Sequence, residues 1–396
     1  MRLLFVALAG DGHLTPTIPL VEELVRRGHR VEYATGAENA DVVREVGAGW
    51  VPLASLPPFT PPPRIGPDVL AAWLRHYFAA LSATYPVLLA HCAATRPDGV
   101  VYDATNWPAR LVARRTDVPA VRCVPHFASG GSFSLDARMT AGLDDGNPAM
   151  AALAADCARF AAEHGVDLDV AGTMDVPEDL NLVFVPRRFQ SAGDEFDQRF
   201  RFLGPPAADR ADRADRAPWS PRVLRAPLVY VSLGSRLTDA DFYRAAAEAL
   251  ADGPWQVAMT IGGTDPADLG PLPPTVEVRP RFPQRAVLRH AAAFVSHAGM
   301  NSTMEALGQG VPLVAVPRTP EQVANAERVH QLGLGVHLPV DAVTPAALRS
   351  AVADVIDNPA VRANLDLMRN DIADAGGAVQ GADDIERHIH TARRSA

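Results

Sequence analysis

Residues 294–322, FVSHAGMNSTMEALGQGVPLVAVPRTPEQ, gather side chains able to hold a phosphorylated ligand. An apolar run ends at Ser296, a polar turn around Gly299 follows, and a helical pattern opens near Asn301. A second apolar strand, Val311 to Val316, ends in Pro317 and a charged turn. This spacing predicts a strand–loop–helix–strand unit, the parallel element in which ligands bind beyond the strand carboxyl ends. The loop offers backbone N–H groups, the His297 imidazole, the Asn301 amide and the Ser302 hydroxyl at a helix N-terminus. Unpaired amides and the helix dipole favour a phosphate or pyrophosphate there. One helical turn beyond Asn301, Glu305 lies on the same face and can accept hydrogen bonds from ribose hydroxyls. Glu321 and Gln322 leave the next strand at the same end of the sheet, where sugar hydroxyls would be held. The residues describe a nucleotide-sugar site.

Two further positions carry chemistry. His13 follows Gly10-Asp11-Gly12 at the carboxyl end of the first strand, where a neutral imidazole can take a proton from a hydroxyl attacking a sugar carbon. The competing reading is a Gly-rich turn that starts a helix. Asp103 also ends an apolar strand, in VYDATNWPAR, a position that more often serves as a helix N-cap. Ser232, Gly234 and Ser235 form a strand-to-helix turn whose small side chains let backbone amides approach a phosphate, a common feature of such turns.

The elements that position these groups alternate along 396 residues, enough chain for two domains with full cores. Leu3–Ala9 and Arg30–Ala34 predict strands, with an amphipathic helix Ile18–Arg27 between them and Gly28 as its C-cap. The proline-rich stretch 52–67 predicts an extended loop, 69–94 is helical, and Gly99–Tyr102 is a strand. Residues 126–150 predict loop and short helix around a cavity. GPPAADRADRADRAPWSPRVLRAP, 204–226, has no apolar face to bury and predicts an interdomain linker. Alternation then resumes at Leu228–Leu233, Val257–Ile261, Ala291–Ser296 and Pro312–Val316. The domains expected are 1–203, 227–375 and a C-terminal helix, 376–396.

Composition narrows the function. Apolar content of 48% and charged content of 21% describe a globular protein. A net charge of −9 gives nothing to neutralise a nucleic-acid backbone. All 37 basic residues are arginine, which removes Schiff-base chemistry and a P-loop lysine. Cys92, Cys123 and Cys157 show no metal or redox spacing and fit a reducing cytosol. The first apolar run flows into GDGHLTP without a cleavage site, and no segment reads as long enough to span a bilayer. No strand is followed by GxGxxG, which disfavours a dehydrogenase.

GDGHLTP, VYDATNWPARLVAR, VSLGS, the 294–322 stretch and ADAGGAVQGADDIE, in this order, resemble the UDP-dependent glycosyltransferases, in particular the bacterial macrolide glycosyltransferase family. The resemblance spans nearly the whole chain. It implies a GT-B fold, two Rossmann-like doubly wound α/β domains facing across a cleft, with the final helix crossing back to the first. It implies that His13 is the catalytic base and that Asp103 holds its tautomer. It places Phe282 against the nucleotide base, where the family usually has Trp, and Gln284 near base or ribose. A core aromatic is the competing reading of Phe282. The pair Glu321-Gln322 matches the one that similar enzymes aim at glucose, which favours UDP-glucose over a TDP-deoxysugar. An apolar acceptor would rest on the first domain near Phe59, Trp73, Phe78, Phe127, Phe133, Met139 and Met150, unless these are plain core.

The reading is therefore an inverting, metal-independent glycosyltransferase of the cytoplasm, using a nucleotide sugar and a lipophilic acceptor, with no further cofactor and no nucleic-acid partner. A homodimer is kept as the self-association to test. Two alternatives stay open: the same transfer from a TDP-deoxysugar, and a nucleotide-sugar-binding partner protein without activity. An epimerase or hydrolase would need extra carboxylates and no acceptor pocket.

Overall fold

A parallel strand is covered on both faces, so its sequence reads as an unbroken apolar run. Leu228–Ser232 (LVYVS) and Gly99–Asp103 (GVVYD) show this pattern, and every residue of both is buried. The computed structural model describes residues 1–395 apart from 9, 57–66, 142, 144–146, 206–218, 224–225 and 235–238. Strands β1 (Arg2–Val6), β2 (Arg30–Thr35), β3 (Gly49–Pro52), β4 (Gly99–Asp103), β5 (Ala120–Val124), β6 (Asn181–Val183) and β7 (Phe200–Phe202) form one sheet in the order 3-2-1-4-5-6-7. All of its pairings are parallel. Strands β8 (Leu228–Ser232), β9 (Gln256–Thr260), β10 (Val276–Arg279), β11 (Ala291–Ser296), β12 (Leu313–Ala315) and β13 (Gly335–His337) form a second parallel sheet, ordered 10-9-8-11-12-13. In both sheets the chain reverses its direction of growth beside the first strand: between β1 and β4, and between β8 and β11. Such switch points open a crevice at the strand carboxyl ends.

One compact unit holds β1–β7 and the C-terminal helix Gly377–Ser395; the other holds β8–β13. The helix joins the first core through Ala382, Ile385 and Ile389, which pack among Leu3, Leu20, Val101 and Leu203. Charge reinforces the contact. Arg27 pairs with Asp383 at 2.6 Å and Glu386 at 3.1 Å, and His29 meets Glu386 at 2.6 Å. Most of 204–226, read as a linker, lies outside the described residues.

Two expectations need correction. The 69–94 stretch is two helices, Pro67–Ser82 and Tyr85–Thr95. Together, residues 71–95 are long and apolar enough to cross a membrane by length and composition, contrary to the sequence reading. Within the first unit, however, Phe78, Leu81, Tyr85, Leu88 and Cys92 of this stretch are buried in one apolar cluster. The second concerns 126–150: its end already belongs to a helix, Pro148–His164, that the small-residue sequence did not announce.

Candidate active site

In the first unit, β1 ends at Val6 and a short helical turn, Asp11–Leu14, carries His13 over the switch point. Gly10, at φ 71°, turns the chain there, a conformation that costs glycine nothing. Asp103 closes β4, the strand paired with β1. His13 Nδ1 lies 2.8 Å from Asp103 Oδ2, across 90 residues of sequence. A carboxylate only accepts, so Nδ1 carries the proton and the Nε2 lone pair is the basic site. The second carboxylate oxygen accepts from the Thr105 backbone N–H at 3.0 Å and its hydroxyl at 2.6 Å. Burial by itself would raise the Asp103 pKa; the His13 charge and hydrogen bond, with those from Thr105, outweigh it and hold the carboxyl below its ordinary value. The carboxylate is fully buried while the imidazole is 25% exposed, so the ring can meet a ligand while its partner stays enclosed. Asp103 is no helix cap: Asn106 occupies the N-cap of the helix Trp107–Arg115.

One residue at this site escaped the sequence reading. The His126 ring stands edge-on to His13 with centroids 6.1 Å apart, and its Nδ1 lies 2.8 Å from the Phe127 carbonyl. Its signal was its place two residues beyond β5, the strand next to β4.

In the second unit the crevice between β8 and β11 is filled by His297. Its ring lies between two glycines. A Cβ on Gly299 would stand 2.6 Å from His297 Nε2, and one on Gly234, itself at φ 84°, would stand 2.9 Å from Cε1. Although the residue retains some exposed surface, its ring is enclosed, and enclosure governs its ionisation. Burial pushes the His297 pKa down to about 4; a hydrogen bond to the Ser232 backbone opposes this and the Arg318 charge adds to it. The imidazole is therefore neutral near pH 7. The next residue, Ala298, is at φ 61°, a strained conformation for a side chain with a Cβ and worth about 1–3 kcal/mol. The buried Asn325 fixes it by donating to the Ala298 carbonyl at 2.9 Å.

The helix Met300–Gly308 follows, with Asn301 and Ser302 in its first turn and no side chain capping its N-terminus. Gln284 Nε2 donates to Ser302 Oγ at 3.1 Å and to Glu305 Oε2 at 2.7 Å, while Arg285 Nε donates to Glu305 Oε1 at 3.1 Å. Thus Gln284, Ser302 and Glu305, singled out separately from sequence, form one polar patch. Ser232 is buried and its hydroxyl accepts from the Gly234 N–H at 3.3 Å. Glu321 and Gln322 lie in the first turn of the helix Pro320–Gln331, with the Gln322 N–H donating to the Thr319 hydroxyl. Ser235 lies outside the described residues.

Several aromatic assignments are corrected. Phe282 is 2% exposed, with the Arg279 guanidinium 4.8 Å over its ring and Trp219 edge-on at 6.0 Å. It is a core residue and offers no face to a base. Phe78 stacks on Trp107 at 5.3 Å; Phe127 stacks on Phe189 at 5.5 Å and touches Phe133 edge-on. All three are buried, so they shape the first core and do not line an open acceptor surface. Trp73, against Tyr77 at 4.6 Å, and Met139 remain half-buried. Phe59 lies outside the described residues.

Two parallel, doubly wound domains with polar switch points define a GT-B glycosyltransferase, and solved structures of that class superpose along the chain. The glycotransferase of kitacinnamycin aligns at 33% identity over 98% of both chains with a TM-score of 0.86. The calicheamicin glycosyltransferase CalG4 aligns at 36% identity over 98% of both, with a TM-score of 0.82. Residues 243–379 match the family model described as erythromycin biosynthesis protein CIII-like, C-terminal domain. The demethyllactenocin mycarosyltransferase of Streptomyces fradiae is 36% identical over 97% of this chain and 86% of its own length. The NDP-glycosyltransferase YjiC of Bacillus subtilis (strain 168) is 34% identical over 95% and 94%. The chain belongs to the bacterial macrolide glycosyltransferase family.

Proposed function

We propose that this glycosyltransferase moves a hexose, glucose from UDP-glucose in the first instance, onto a hydroxyl of a lipophilic natural product such as a macrolide, polyketide or phenolic aglycone. The observation that carries the reading is the 2.8 Å His13–Asp103 pair at the switch point of the first domain. His13 Nε2 takes the acceptor proton as the oxygen attacks the anomeric carbon. The bond from that carbon to the diphosphate oxygen breaks, and its electron pair leaves with the nucleoside diphosphate. In-line attack inverts the anomeric centre. The amides opening the helix Met300–Gly308 and the His297 loop meet the departing charge, a preorganised electrostatic role that needs no metal. Asp103 stabilises the imidazolium as it forms. Glu321 and Gln322 hold sugar hydroxyls, and Glu305 with Gln284 the ribose. The three cysteines are buried free thiols, in keeping with a cytoplasmic enzyme.

The mycarosyltransferase likeness favours a second donor, a TDP-deoxysugar, in antibiotic biosynthesis. Purified protein offered UDP-glucose or a TDP-deoxysugar with a panel of macrolide and phenolic acceptors separates the two by the mass of the product. His13→Ala is expected to lower turnover about 10²–10⁴-fold with nucleotide binding intact. Turnover within twofold of wild type would remove His13 as the base, and absence of product from either donor would favour a nucleotide-sugar-binding protein without activity.

A further inference from the structure

The loop after β12 holds a cation that the sugar-binding pair Glu321-Gln322 does not account for. Arg318 lies three residues before Glu321, and its side chain is only 8% exposed. Strand order puts it beside the nucleotide loop: β8, β11 and β12 are successive neighbours, and the Val316 N–H donates to the Ser296 carbonyl at 2.7 Å. Its Nη1 meets Asp239 Oδ2 at 2.9 Å. Asp239 is itself immobilised, because its other oxygen caps the helix Ala240–Ala251 by accepting from the Phe242 N–H at 3.0 Å. The guanidinium carbon also lies 5.4 Å from the centre of the Phe242 ring. One edge of the fork is thus tied down and the plane is fixed by packing. The Nε–H is buried and has no acceptor among the described residues. A buried donor left unmade is costly, and the cost is recovered when a ligand oxygen arrives.

We propose that Arg318 is a donor-binding residue that reads the diphosphate of the nucleotide sugar, giving the second domain a fixed positive charge where the leaving group departs. This rests on the nucleotide-sugar reading of the same loop. Three features lie on neighbouring loops: the uncapped N-terminus of the helix Met300–Gly308, the neutral His297 ring held between Gly234 and Gly299, and the Arg318 fork, near enough to His297 for its charge to act on the ring. The first two supply dipoles only. Arg318 supplies an ionised donor, its charge partly offset by Asp239, and its proximity to His297 helps keep the imidazole neutral. A planar fork can hold the Asp239 carboxylate on one edge and a phosphate oxygen on the other in a fixed geometry, which the point charge of a lysine ammonium does not impose. Because Asp239 fixes the side chain beforehand, little rotamer freedom is lost on binding. As the anomeric C–O bond breaks, negative charge grows on the diphosphate, so the interaction strengthens towards the transition state.

The test is calorimetric titration of the full chain with two nucleotide pairs, UDP with UMP and TDP with TMP. In wild type the diphosphate of the preferred pair binds more tightly than its monophosphate. Arg318→Gln is expected to weaken the diphosphate about tenfold or more and to leave the monophosphate within about twofold. Asp239→Asn, which loosens the fork but keeps its charge, weakens the diphosphate less, about threefold. Should Arg318→Gln fail to fold by circular dichroism, Arg318→Lys replaces it, with the same selective loss expected. Unchanged diphosphate affinity in the folded variant, or an equal loss for diphosphate and monophosphate, overturns the role of Arg318. A wild-type protein that binds neither diphosphate overturns the nucleotide-sugar reading instead, so the two failures are told apart.

Discussion

The two domains each place a histidine at the switch point, on opposite sides of it, and give it different surroundings. His13 follows the first strand of one sheet and His297 follows the fourth strand of the other, each at the crevice where strand order reverses. His13 is partly exposed and backed by a buried carboxylate, which fixes its tautomer. His297 has glycines on either side and a guanidinium nearby, and burial holds its pKa at about 4. The same imidazole is oriented by a carboxylate and partly open in one place, and enclosed and neutral near pH 7 in the other. The environment decides: a carboxylate at 2.8 Å in the first case, enclosure in the second.

The contrast can be broken from either side. The largest effect is expected from Asp103→Asn. An asparagine amide can donate to Nδ1, which would move the ring proton to Nε2 and remove the basic lone pair. Turnover should fall about a hundredfold or more while donor affinity stays within about twofold. An Asp103→Asn enzyme with ordinary turnover would show that His13 needs no carboxylate. A smaller effect is expected in the other domain. Gly299→Ala puts a methyl group against the His297 ring, so the slot must open. The dissociation constant for the nucleoside diphosphate should rise about tenfold, roughly the loss of one good hydrogen bond. Unaltered binding would mean that the ring is not held by its glycines.

The smallest effect is on stability. His297 titrates near 4 when folded and near 6.5 when unfolded. Between those values the unfolded chain binds a proton that the folded chain refuses. Its contribution is therefore complete above about pH 6.5 and is lost as the pH falls towards 4, about 3 kcal/mol in all. Urea unfolding at pH 7 and pH 5 should show a smaller difference for His297→Asn than for wild type. Equal differences would place the folded pKa near its ordinary value.

The loop and helix proposed to hold the donor were legible as a unit because their parts are contiguous. His297, Gly299, Asn301, Ser302 and Glu305 lie within nine residues, and a strand followed by a helix leaves their arrangement little choice. The acceptor side was not, because apolar side chains read alike whether they fill a core or line a pocket. Phe78, Phe127 and Phe133 were assigned to the acceptor and lie in the core, and Phe282 shares that fate. Arg318 and Asn325 carried no sequence signal, since a buried guanidinium or amide is distinguished only by what surrounds it.

The sequence by itself determined the alternation of strands and helices, the two parallel sheets they imply, and the glycine-bearing turn at which a phosphate can sit. Local periodicity and turn chemistry are encoded residue by residue. Only the tertiary structure decided that Asp103 reaches His13 across 90 residues, that His126 stands beside them, and that a glycine slot closes on His297. Each depends on which strands become neighbours and on how far a side chain is removed from water, and neither is a property of any single stretch of chain.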